Sequence, residues 1–272
     1  LVTTVTGDYT EEESDLIGPT DSDMMLVPDP ATMRLVPWAD EPTAQIIHDC
    51  YLRDGALHPL STRNVLRKVI ELYESQGWRP IVAPEVEFYL VQKNPDPDLE
   101  LQPPVGRSGR REAGRQSYSI DAANEFDPII EDMYDFCEAQ QLDVDTLIHE
   151  SGLAQMEINF LHGEALSLAD QVFLFKRTMR EAAHRHEIYC TFMAKPMEHE
   201  NRLRMNHVGH VSLEDPGTRL GGYLHEVVVA DTQRGRLGGV DPEGVFRKQF
   251  MQIGYILGGD VGMQGQPAHH QS

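Results

Sequence analysis

The stretch Arg79-Pro-Ile-Val-Ala-Pro-Glu-Val-Glu-Phe-Tyr-Leu-Val91 decides how the chain is read. Val86, Phe88 and Leu90 alternate with Glu85, Glu87 and Tyr89, the period of two of a β-strand. Such a strand puts Glu85 and Glu87 on one side, roughly 7 Å apart. A second stretch, His149-Glu-Ser-Gly-Leu-Ala-Gln-Met-Glu-Ile-Asn-Phe160, reads as the end of one strand, a Gly-containing turn and a second strand. Residues 144–150 and 155–160 therefore form a predicted hairpin, with Glu150 and Glu157 at its two sides.

If both carboxylate pairs face a common cleft, they repel one another strongly unless a divalent cation neutralises them. Oxygen donors at this density suit Mg²⁺ or Mn²⁺ better than zinc. The plainer alternative makes Glu85 and Glu87 the solvated face of a strand whose inner face is Val86, Phe88 and Leu90. His207 and His210 could complete a metal site, although a lone histidine is more often a hydrogen-bonded structural residue.

Around this centre lie three predicted helices. One spans 61–74, with Val65, Leu66, Val69, Ile70 and Leu72 at helical spacing, and Gly77 stops it. Another starts with Asp127 as N-cap and Pro128 at the first helical position. The third opens at Ser167 and carries Leu168, Val172, Phe175, Met179 and Ala182 on one face. Residues 188–194 read as a further strand. Residues 24–27 and 33–36, each ending at a proline, read as edge strands or as a strand-turn-strand unit. The Pro-, Gly- and Arg-rich stretch 94–117 is a long loop, flexible around Arg107, Arg110, Arg111 and Arg115, and its length asks for a functional reason. Beyond residue 214 periodicity fades.

With 23 Lys and Arg against 44 Asp and Glu, the chain of 272 residues carries a formal charge of −21. That balance argues against nucleic acid as a partner and admits divalent cations or cationic substrates. No apolar run is long enough to span a bilayer, and no signal peptide is visible, so no membrane partner is expected. Three scattered cysteines without a C-x-x-C pair argue against a disulfide framework and point to a reducing cytoplasm. Phosphate loops, dinucleotide fingerprints, H-E-x-x-H and G-x-S-x-G are all absent. The chain starts at Leu1, from which a missing upstream part is expected.

At four places, in order and separation, the chain resembles the glutamine synthetase family, closest to its γ-glutamylputrescine (γ-glutamylpolyamine) synthetase-like branch. These are Ser22-Asp-Met-Met-Leu-Val-Pro-Asp-Pro-Ala-Thr32 with Pro37-Trp38, the Ala83–Leu90 and His149–Phe160 stretches, and Phe192-Met-Ala-Lys-Pro-Met197. The match covers about residues 1–198. Further on, His207, His210 and Ser212 look like the family's M-H-x-H-x-S with single-residue insertions, and Arg202 and Arg204 lie where small residues are usual. Nothing beyond Leu213 is matched, as in a truncated member or one with an altered distal part.

The resemblance implies an α+β fold. A small N-terminal β-domain remnant (1–58, β-grasp-like) would precede a partial catalytic domain (59–272, with 214–272 unassigned) of curved antiparallel sheet with helices. It implies an ATP-dependent ligase that joins the glutamate γ-carboxylate to ammonia or an amine, such as a polyamine, through γ-glutamyl phosphate. Mg²⁺ or Mn²⁺ would be held by Glu85, Glu87, Glu150, Glu157 and His207. Gln155 would shape the glutamate cleft and Asp145 would contact nucleotide. A homo-oligomeric ring is implied as well. The alternative is a catalytically inactive member acting as a binding or regulatory subunit.

Overall fold

The computed structural model describes residues 23–96, 98–193, 196, 197 and 209–214. Its axis is the long strand whose alternation is visible in the sequence. Ten strands and four α-helices follow one another in these residues: β1 (Met25–Pro28), β2 (Arg34–Leu35), β3 (Ala44–Gln45), β4 (His48–Tyr51), α1 (Thr62–Ser75), β5 (Arg79–Gln92), α2 (Ile120–Asn124), α3 (Asp127–Gln140), β6 (Val144–His149), β7 (Gln155–Phe160), β8 (Gly163–Glu164), α4 (Ala165–Arg185), β9 (Ile188–Thr191) and β10 (Gly209–Glu214). β5 is central to a six-stranded sheet of order β10-β5-β7-β6, with β8 and β9 also pairing with β5. Every pairing in this sheet is antiparallel, and helices cover one face, so the α+β expectation holds.

Val86, Phe88 and Leu90 point into the core as the alternation predicts. They meet Ile158 and Met156 from β7, Met133 and Cys137 from α3, and Phe175 and Met179 from α4. The Phe175 ring meets Phe160 edge-on at 5.5 Å and Phe88 at 6.2 Å, geometries that aromatic quadrupoles favour. Among the described residues, no helix is long and apolar enough to cross a membrane.

Several local expectations change. The third predicted helix begins two residues before Ser167, because the Glu164 carboxylate accepts from the free N–H groups of Leu166 and Ser167 and is the N-cap. The second is capped at Phe126, with Asp127 inside the helix. A short extra helix, α2, precedes it, capped by the Ser119 hydroxyl. α1 forms where expected, but Val65, Val69 and Leu72 of its apolar stripe are exposed.

The two N-terminal runs do not make a strand-turn-strand unit. A 3₁₀ turn follows β1, capped by Asp29, and β1 pairs with β4 whereas β2 pairs with β3. The 1–58 β-domain proposal thus rests on two small ladders in its described part. The ladders are tied to the helices by Arg63 of α1, whose guanidinium reaches Asp29 at 2.6 Å, Asp49 of β4 at 2.9 Å and Asp170 of α4 at 2.9 Å. Residues 105–111 are not a loose loop: Val105 bridges to Arg111, and Glu125 accepts from the Ser108 N–H at 3.0 Å.

Candidate metal centre

The core-facing side of β5 fixes what the other side must carry. With Val86, Phe88 and Leu90 turned inward, Glu85, Glu87 and Tyr89 share the opposite face. β7 pairs in a register that sets Asn159 opposite Glu85, Glu157 opposite Glu87 and Gln155 opposite Tyr89. Directly opposed residues have Cβ atoms about 5 Å apart, so the Glu87 and Glu157 carboxylates are neighbours by construction. Glu150 arrives from the turn joining β6 to β7, where its N–H donates to the Gln155 carbonyl at 2.8 Å.

This face is not the solvated one of the plainer alternative. Glu87 is only 7% exposed. Burial, then the charges of Glu157 and Glu150, push its carboxyl up to about 7, against the pull of a hydrogen bond from Gln155. Burial with Glu150 and Glu85 pushes Glu157 to about 7 as well, opposed by a hydrogen bond from Asn159. Glu87 and Glu157 thus both lie within electrostatic reach of Glu85 and Glu150.

Gln155 links two parts of this face. Its Oε1 accepts from the Gly152 N–H at 2.7 Å, and its Nε2 donates to Glu87 Oε2 at 2.8 Å. Both ends of the amide are engaged inside the chain, so its visible role is to hold Glu87 and the turn together. A Cβ on Gly152 would stand 2.6 Å from Gln155 Oε1 and 2.6 Å from the Tyr89 hydroxyl oxygen, so only glycine fits there.

The remaining candidates fall elsewhere. Asp145 is exposed, five residues before Glu150, and its carbonyl accepts from the Tyr134 hydroxyl at 3.2 Å. His207 lies outside the described residues, as does the unassigned stretch past residue 214; the strand after His207 places His210 opposite Ala83 of β5. Asn159 and Glu112 are polar residues that the sequence reading passed over. Asn159 carried a signal, since it continues the Gln155, Glu157 alternation. Its Oδ1 is buried with no hydrogen-bond partner.

The donor set fits a hard dication: four carboxylates, two of them pushed up to about 7 by burial and then by neighbouring carboxylates, and a buried amide oxygen without a partner. Among the described residues, no three His, Cys, Asp or Glu side chains already stand close enough to hold an ion between them. The carboxylates would have to draw together to coordinate one.

The family model described as glutamine synthetase, catalytic domain, matches residues 59–222. γ-Glutamylputrescine synthetase PuuA of Escherichia coli (strain K12) is 32% identical over 190 residues, 68% of this chain and 40% of that protein. A glutamine synthetase of Pyrococcus horikoshii is 34% identical over 177 residues, 65% of this chain and 37% of that protein. Among solved structures, a GmaS/ADP complex is similar with a TM-score of 0.62 and 25% identity, covering 74% of this chain and 44% of that one. The chain therefore spans about two fifths of the length of these curated relatives.

Proposed function

The chain belongs to the glutamine synthetase family, and from that premise we propose that it acts in an ATP-dependent ligase joining the glutamate γ-carboxylate to ammonia or an amine. The observation that carries this reading is the register of Glu87 against Glu157, with Glu85 and Glu150 in electrostatic reach.

In the proposed reaction a γ-carboxylate oxygen of glutamate attacks the γ-phosphorus of ATP and ADP leaves. The nitrogen of the acceptor then attacks the resulting γ-glutamyl phosphate at its carbonyl, phosphate leaves, and the nitrogen gives up a proton. Bound Mg²⁺ or Mn²⁺ would supply charge compensation for the phosphoryl group and in-line placement of the reactants. Glu85, Glu87, Glu150 and Glu157 are the proposed holders of the ions, and His207 is the proposed imidazole among them. Asp145 stays a proposed nucleotide contact. Gln155 borders the glutamate cleft and fixes the Glu87 carboxylate by donating to one of its oxygens.

A net charge of −21 favours a dication such as putrescine over singly charged ammonium, and the similarity to a γ-glutamylputrescine synthetase supports this choice. A homo-oligomer working in the cytoplasm completes the proposal.

The test is phosphate release by the purified chain with ATP, glutamate and Mg²⁺, comparing putrescine with ammonia. Amine-dependent release that disappears in Glu87→Ala with Glu157→Ala supports a ligase. Absence of turnover with Mn²⁺ binding intact would favour a binding or regulatory subunit instead.

A further inference from the structure

Glu112 stands in the long connection between β5 and α2, yet its side chain is 4% exposed and that of His149 is fully buried. The two Glu112 oxygens have different partners. Oε1 lies 2.7 Å from His149 Nε2, and Oε2 accepts from the Ala154 N–H at 2.6 Å. His149 Nδ1 in turn lies 2.8 Å from the Glu150 carbonyl oxygen. One carboxylate therefore ties His149, just before the 150–154 turn, to Ala154 at its end. Two further contacts press the same connection against the turn: the Tyr118 N–H donates to the His149 carbonyl at 2.8 Å, and the Ser117 and Ser151 hydroxyls lie 2.9 Å apart.

The turn needs such a tie. Ala154 has φ of 53°, a left-handed conformation that is sterically costly for a residue with a Cβ and persists only where neighbours over-determine it. It sits between Glu150 and Glu157, so any relaxation there moves one carboxylate relative to the other.

We propose that Glu112 and His149 are positioning residues, a buried clamp on the 150–154 turn that holds Glu150 in place against Glu87 and Glu157. The proposal rests on the reading of those glutamates as a divalent-cation site. It gives the long connection its purpose, since Glu112 acts on the ion only through the turn. Partners that orient ligands in this indirect way typically change metal affinity by about 10- to 100-fold when removed.

The test measures Mn²⁺ affinity of the full chain by electron paramagnetic resonance of the free ion, with circular dichroism as the check on folding. Glu112→Ala should weaken binding by about tenfold or more. Glu112→Gln should restore it to within about threefold of the unsubstituted chain. Its amide oxygen can accept from Ala154 and its NH₂ can donate to a His149 ring carrying hydrogen on Nδ1. In a double-mutant cycle, Glu112→Ala should have little further effect once Glu150→Ala is present, because the clamp acts through Glu150. Should Glu112→Ala fail to fold, Glu112→Asp, one methylene too short to span both partners, replaces it in the same cycle. Unchanged affinity in the Ala variant, no rescue by Gln, or full additivity with Glu150→Ala would overturn the clamp while leaving the cation site standing. Failure of the unsubstituted chain to bind Mn²⁺ would overturn the cation site, and the clamp with it.

Discussion

Glu87 of β5 and Glu157 of β7 are cross-strand partners on the face of the sheet opposite the core, and burial and neighbouring carboxylates hold both near pH 7. A carboxyl raised in the folded state binds its proton more tightly there than in the unfolded chain. Between the unfolded value, about 4.3, and 7, the folded state carries more protons, so unfolding free energy falls as pH rises. The metal-free chain should therefore melt at progressively lower temperature from pH 5 to pH 8. Glu87→Gln should flatten that slope and raise the melting temperature at pH 8. Thermal melts monitored by circular dichroism at several pH values check it. An unchanged slope in the Gln variant would show that the repulsion is relieved in some other way.

Divalent cations should act in the opposite sense. A ligand that binds only the folded state stabilises it by mass action, and the carboxylates must ionise to coordinate. Mn²⁺ should thus raise the melting temperature more at pH 8 than at pH 5. Glu87→Ala with Glu157→Ala should abolish the rise at both. The same melts, repeated with saturating Mn²⁺, read the difference.

Much of this arrangement is legible in the sequence. The alternation of Val86, Phe88 and Leu90 with Glu85 and Glu87 determined both the strand and its two faces, because pleating allows no other assignment. The stretch 155–160 reads as a strand hairpinned to 144–150, but its pairing with β5 on the other side is a long-range contact that the sequence does not announce. Hidden from inspection was whatever depends on distant partners. Glu112 sits in a stretch without periodicity, and only the folded chain brings it to His149. The start of α4 was misplaced because Glu164 caps the helix in the role that Ser167 was expected to fill. The apolar stripe of α1 announces a helix but cannot say whether that stripe is covered.

Gly152→Ala should damage the site through its neighbours. The added methyl would meet the Gln155 amide oxygen and the Tyr89 ring within 2.7 Å, and both are buried. Overpacking of this kind costs about 1–3 kcal/mol, and relief requires Gln155 to swing off Glu87. The expected result is a lower melting temperature together with weaker Mn²⁺ binding. A Gly152→Ala chain with normal ion affinity would show that Gln155 does not orient Glu87.

Arg63→Met tests what joins the N-terminal ladders to the helices. The Arg63 side chain is 11% exposed, its guanidinium is the shared partner of Asp29, Asp49 and Asp170, and Asp49 also receives Arg67 at 2.8 Å. Removing one partner of a buried pair leaves charge uncompensated and typically costs about 3–5 kcal/mol. Methionine keeps most of the volume, so that loss reflects charge rather than a cavity. A hydrogen bond from Arg63 holds Asp29 below the usual carboxylate range, and bonds from Arg67 and then Arg63 do the same for Asp49. For depressed carboxyls the stabilisation is present above the unfolded value and fades as pH falls through the folded one. The difference in unfolding free energy between the unsubstituted chain and Arg63→Met should accordingly be largest near neutrality and shrink below about pH 4. Urea titrations at pH 7 and pH 3 measure it. A gap independent of pH would mean that Arg63 holds the ladders by packing along its aliphatic stem and not by its charge.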